Sequence, residues 1–167
     1  MAACWSIMKE RRGQQGTLSI ELIAGCMLLV PLLLLIIDVS TLFYGSALIG
    51  SACREAARSA ANGMPADLSG PHSKTNVAMK TPPYQRVVSA LSNYHTNNQV
   101  VFSPTVQSIT ETIEAPVPAA PVYGPVIGYV TVELSTTVAP PFTIAPFPQT
   151  VSLTSQQTFP YTYVLSP

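Results

Sequence analysis

The strongest constraint in the sequence is a gap in its charge. Between Arg12 and Arg54 there is no cation, and the only anions, Glu21 and Asp38, bracket the uncharged run from Leu22 to Ile37. A further mostly apolar stretch, Val39 to Ile49, extends it. About 20 apolar residues at 1.5 Å rise cover a bilayer core of ~30 Å, so the pattern predicts a helix that crosses a membrane. Lys9, Arg11 and Arg12 precede the run, and basic residues stay on the cytoplasmic side. The rest of the chain is then expected outside.

Composition agrees with this reading. Eight Lys+Arg balance eight Asp+Glu and only 10% of residues are charged, against about 25% in soluble domains. A neutral, charge-poor chain is not built for nucleic acid, which demands clustered cations. Residues 1–16 carry three cations and one anion, whereas residues 17–167 carry five cations and seven anions. A removed secretory signal would have a shorter apolar core ending at a small-residue cleavage site. Here the run continues into the helix-forming segment Ser46 to Ala61. Ile23-Ala24-Gly25-Cys26 has the shape of a lipoprotein box, but the apolar stretch before Cys26 is short and holds Glu21, which argues against lipidation.

The junction Arg11-Arg12-Gly13-Gln14-Gln15-Gly16-Thr17-Leu18-Ser19-Ile20-Glu21-Leu22 joins a basic head, a glycine, a glutamate five residues on and an uncharged helix. This arrangement resembles type IV prepilins and pseudopilins. The resemblance implies that a membrane-embedded prepilin peptidase cuts between Gly16 and Thr17, leaving Glu21 as the fifth mature residue. An ionisable group at the start of a span normally has a partner. The new α-amino group of Thr17, on the same or a neighbouring subunit, would serve. After the span, Asp38-Val39-Ser40 and Ala52-Cys53-Arg54-Glu55-Ala56-Ala57-Arg58-Ser59-Ala60-Ala61 are similar to TadE-like pseudopilins of the tight-adherence system. That likeness implies a minor pseudopilin of the inner (cytoplasmic) membrane, priming or supporting a pilus, with other pilins or pseudopilins, the inner-membrane assembly platform and the lipid bilayer as partners. Two alternatives stay open: a general-secretion pseudopilin, and an unprocessed single-pass anchor whose outer domain binds a ligand or envelope partner.

The organisation expected is a basic leader (1–16), a transmembrane and assembly helix (17–62) and an extracytoplasmic, Pro-rich α+β domain (63–167). The helix exceeds the bilayer, so its outer half must pack elsewhere. Small residues recur there at helical spacing, among them Ser46 and Gly50, and Ala52, Ala56 and Ala60. Such faces let helices approach closely, and packing against neighbouring subunits is the expectation. Glu55 and Arg58 are spaced to pair. Pro31 should bend the helix, and Asn62-Gly63 followed by Pro65 should stop it.

Residues 63–167 hold 15 of the 16 prolines and seven charges. Residues 65–83 read as a loop. Tyr84, Val87, Val88, Leu91 and Tyr94 follow Pro82-Pro83 at helical spacing, which predicts a short amphipathic helix. Strands are expected at Gln99 to Ser103, Thr105 to Ile113, Val126 to Thr137, Thr150 to Ser155 and Thr158 to Leu165, with 115–125 a connector. A small antiparallel sheet packed on a helix follows. Its low charge reflects either a hydroxyl-rich surface or burial against other subunits. The three cysteines make no disulfide framework or CxxC metal set, and His72 and His95 stand apart from any ligand spacing. Glu111 and Glu114 differ in strand parity and should face opposite sides. No phosphate loop or nucleophile elbow is present, so neither an enzyme, a cofactor nor a metal is expected.

Overall fold

In the computed structural model, residues 2–66, 72–74, 80–94, 100–114, 125–142 and 149–164 are described, with side chains from residue 20 onward and excepting 72–74 and 125–126. The chain divides into two compact units, Met1–Ser40 and Thr41–Pro167.

Helix α1 covers Ala2–Ala61. It begins well before the expected residue 17, because Lys9 to Gln15 is rich in helix formers and Gly13 and Gly16 cost only about 1 kcal/mol each. It ends where expected. The Asn62 N–H bonds back to the Ser59 carbonyl at 3.3 Å, Gly63 takes φ 117°, a conformation that favours glycine, and Pro65 follows. The first unit holds the apolar part of α1. From Ile20 to Val39 its large side chains lie largely exposed, Met27 at 77% and Leu22 at 71%. This helix is long and apolar enough to cross a membrane.

The second unit packs the remainder of α1 on a four-stranded antiparallel sheet of order β1-β2-β3-β4. The strands are β1 (His72–Lys74), β2 (Thr105–Ile113), β3 (Pro125–Val138) and β4 (Val151–Val164). Helix α2 (Pro82–Leu91) starts at a proline, as its sequence requires, and runs into a 3-10 turn over Ser92–Tyr94. The α+β layout is therefore the expected one, with three differences in detail. The two strands expected at Thr150 to Ser155 and Thr158 to Leu165 are one, since Gln156 and Gln157 continue the alternation through its middle. A three-residue strand, β1, interrupts the segment 65–83 that reads as a loop. Finally, Val101 makes only an isolated bridge to Val138, so no strand forms over 100–103. Most of the connector 115–125 lies outside the described residues.

Parity sorts the sheet into two faces. The inner face of β3 carries Val130, Val132, Leu134 and Val138, all buried. Ile109 and Ile113 of β2 join them, as does Tyr161 of β4. An irregularity between Val106 and Ser108 in β2 turns both Val106 and Ile109 inward. The outer face carries mostly hydroxyls and amides, with Ile127, Tyr129 and Val164 exposed among them. Thr131 and Thr158 hydroxyls meet at 2.8 Å, and Ser108 donates to Glu133 Oε2 at 2.9 Å.

Candidate functional site

The residues singled out from the sequence fall into three places. Gly16 and Thr17 belong to α1, and their side chains lie outside the described residues. Glu21 sits on the exposed surface of α1, one residue before the apolar run. The small residues of the outer half occupy two different faces.

Ala52, Ala56 and Ala60 are buried to within 2% exposure, and what covers them is the chain's own sheet. Neighbouring subunits are not required to bury this face. Small side chains allow the helix to lie close to the strands, and the contact is tight enough to involve backbone. The Cys53 Sγ lies 3.2 Å from the carbonyl oxygens of both Val132 and Ser155, which share its one hydrogen. One residue missed by the sequence reading belongs to the same face: a Cβ on Gly45 would lie 2.5 Å from Val138 Cγ2 and 3.3 Å from Leu153 Cδ1. Glycine is needed there for the close approach. Ser46, by contrast, is exposed, and a Cβ on Gly50 would meet nothing within 4 Å. These two small residues are unexplained by packing within the chain. The Arg58 guanidinium lies 5.9 Å from the centroid of the Phe159 ring, a contact worth about 0.5–1 kcal/mol at the surface.

A polar cluster ties the end of α1 to the domain. A helix leaves its last carbonyls without intrahelical partners. Arg86, projecting from α2, supplies them: Nε donates to the Ser59 carbonyl at 3.1 Å, and an Nη donates to Ala60 at 2.9 Å and Met64 at 3.0 Å. A cation at a helix C-terminus also opposes the negative end of the dipole. In return the Ser59 hydroxyl donates to the Arg86 carbonyl at 3.2 Å. Burial pulls the Arg86 guanidinium below its ordinary pKa, while the nearby Glu111 charge pushes it back up. Glu111 is fully buried. Its two oxygens accept the Ala66 N–H at 3.1 and 2.9 Å, and Oε1 accepts the Tyr161 hydroxyl at 3.2 Å. Burial first, and the Glu111 carboxylate second, push the Tyr161 phenol well above its usual value. Gly128 makes room for this tyrosine, since a Cβ there would lie 2.9 Å from the Tyr161 ring and 2.5 Å from the Thr112 carbonyl oxygen.

The cluster holds the fold together. It has no nucleophile beside a base, and its carboxylate is occupied by donors. Among the described residues no group of three His, Cys, Asp or Glu could hold a metal ion. The side chain of His72 and all of His95 lie outside them. Cys26 and Cys53 are free thiols, the first exposed and the second buried. Glu114 is exposed while Glu111 is buried, so the two do not act as a pair. Neither family models, curated proteins nor solved structures yield a match to the chain.

Proposed function

We propose that this chain is a TadE-like minor pseudopilin of a tight-adherence pilus system. A prepilin peptidase removes residues 1–16, the apolar half of α1 holds the product in the inner membrane, and the domain projects on the far side to prime or support pilus assembly and surface adhesion. The observation that carries this reading is the junction itself: a basic head, Gly16, and Glu21 opening an uncharged helix. The exposure of that helix's large side chains supports it, because apolar surface of this extent is stable in lipid and costly in water.

Glu21 then has a defined role. A carboxylate at the edge of the bilayer is stabilised by an opposite charge, and cleavage creates one at the Thr17 amino group. Processing and recruitment of other pilins are thereby linked. Ser46, which is exposed, and Gly50, half-buried but with open space where a Cβ would lie, are the positions left for helix packing with those partners and with the assembly platform, whereas Ala52, Ala56 and Ala60 are spent on the domain.

Expression with and without a prepilin peptidase tests the reading. The chain should shorten by 16 residues only when the peptidase is present, and Gly16→Ala should abolish the change. Glu21→Ala should be cleaved normally yet lose co-purifying pilins. A chain that keeps Met1 in the presence of active peptidase contradicts the proposal and returns the reading to an unprocessed single-pass anchor.

A further inference from the structure

We propose that β4 is a self-pairing edge: two copies of this chain join antiparallel through residues 152–158, about a two-fold axis at Ser155, into one continuous sheet. The inference concerns the Thr41–Pro167 unit alone and does not depend on the pseudopilin reading.

Alternation decides which backbone groups of β4 are already used. In an antiparallel ladder each residue turns its N–H and C=O together toward one neighbouring strand or the other. The Ile127 carbonyl accepts the Glu114 N–H at 3.1 Å, and the Thr137 carbonyl accepts the Phe102 N–H at 2.9 Å. Odd-numbered residues of β3 therefore face the β2 side, and even-numbered ones face β4. The register is unbroken and sets Gly128, Val130, Val132 and Leu134 opposite Tyr161, Phe159, Gln157 and Ser155. Those four residues of β4 bond to β3, so Ser152, Thr154, Gln156, Thr158, Pro160 and Thr162 turn their main-chain groups away from it. Pro160 agrees, since proline is tolerated on an edge strand with its nitrogen turned outward. Among the described residues no strand lies on that side, and all six side chains are exposed.

A bare row of N–H and C=O groups is a template for another strand, and proteins blunt such edges with shortness, charge, proline or bulges. The opposite edge, β1, is three residues long and holds Lys74. By contrast β4 runs for 14 residues with no irregularity in its pairing, and residues 134–167 contain no Asp, Glu, Lys or Arg. Only Pro160 interrupts the row, which leaves 152–158 open over about 20 Å. The segment whose chemistry fits this edge is β4 itself. Antiparallel pairing about Ser155 sets Ser152 opposite Thr158 and Thr154 opposite Gln156 of the second copy. Every outward N–H and C=O of the stretch then has a partner, and Pro160 falls beyond it. On the outer face hydroxyls and amides meet, with no like charges to repel. On the inner face Val151 meets Phe159 of the second copy, and each of these half-buried apolar side chains gains cover. Because the same patch serves both copies, the contact closes as a dimer and does not continue as a fibre.

The test uses the full chain in detergent micelles, where light scattering should give the protein mass of two 17.8-kDa chains. The pairs Thr154→Lys with Gln156→Lys, and Thr154→Glu with Gln156→Glu, each set like charges directly opposite and should halve that mass. The neutral pair Thr154→Ser with Gln156→Ser should not. An equimolar mixture of the Lys and Glu chains should recover the dimer, which also shows that both charged chains fold. For strand direction, Cys4 and Cys26 are replaced by Ser and a nitroxide is placed at Ser152→Cys or Thr162→Cys. Pulsed electron resonance should find the two labels roughly 20 Å apart at the first position and roughly 45 Å at the second, because antiparallel separation grows by two residues for each step from Ser155. A monomeric native chain overturns the proposal. So does a dimer that the charged pairs leave intact, which is held by another surface, or a Lys and Glu mixture that stays monomeric. Equal separations at the two positions mean parallel pairing and overturn the antiparallel arrangement.

Discussion

The two halves of α1 use the same secondary structure for opposite purposes. From Ile20 to Ser40 the helix carries large apolar side chains and leaves them exposed. From Thr41 to Ala61 it buries Ile49, Ala52, Cys53, Ala56, Ala57 and Ala60, which are mostly small. Burial therefore runs against side-chain size. In the outer half small size is what permits burial, because the sheet approaches until the Cys53 thiol bonds to strand carbonyls. From Ile20 to Ser40 size creates an extended apolar surface on a helix long enough to cross a membrane.

This contrast predicts opposite responses to substitution. The largest effect is expected from Glu111→Ala, which leaves the Ala66 N–H and the Tyr161 hydroxyl unpaired at 1–3 kcal/mol each. The domain should lose about 3 kcal/mol in urea unfolding, and Glu111→Gln, which keeps an acceptor, should lose clearly less. Next, Ala56→Leu forces extra methylenes between helix and sheet and should cost about 1–3 kcal/mol. The matched change in the other half, Leu29→Ala, should leave the domain's unfolding midpoint within the spread of ~0.5 kcal/mol seen for surface positions. If Leu29→Ala destabilises the domain as much as Ala56→Leu does, the division of labour is wrong.

A pH prediction concerns the polar cluster around Glu111. The folded state raises the Tyr161 pKa above its ordinary 10.0, so the folded chain holds this proton more tightly than the unfolded chain does. The stability is fully present below pH 10.0 and is lost as pH rises beyond it. Urea midpoints should fall at alkaline pH in the native chain and fall less in Tyr161→Phe. The smallest effect is expected at Gly50, where the space is open. Gly50→Ala should stabilise the isolated chain by about 0.5–1 kcal/mol, and a simultaneous loss of co-purifying pilins would identify what the glycine is kept for.

Much of the fold was legible because it rests on local rules. The charge gap marks the apolar half of α1, Asn62-Gly63 marks its end, Pro82-Pro83 marks the start of α2, and alternation marks β2 and β3. The faces used by the small residues were not legible, since helical spacing fixes which residues share a side but not what arrives to cover it. Ser46 and Gly50 look like Ala52 and Ala56 in sequence and end up on different surfaces. The cluster around Glu111 was missed although it had a signal: Ile109, Glu111 and Ile113 share one parity, so the carboxylate lies on an apolar face and must find donors. The donors themselves come from residues 45 and 50 positions away, a separation no local pattern records.

Of the three cysteines in α1, Cys26 lies in the apolar stretch and Cys53 in the stretch packed on the sheet, and differential alkylation of these two tests the central contrast. With Cys4→Ser in place, intact vesicles are treated with a charged maleimide, first in buffer and then in urea. The account predicts that neither thiol reacts in buffer, because lipid shields Cys26 and the sheet shields Cys53. In urea Cys53 should react as the domain unfolds, while Cys26 remains protected until detergent is added. Labelling of Cys26 in intact vesicles, or exposure of both thiols together in urea, would contradict it.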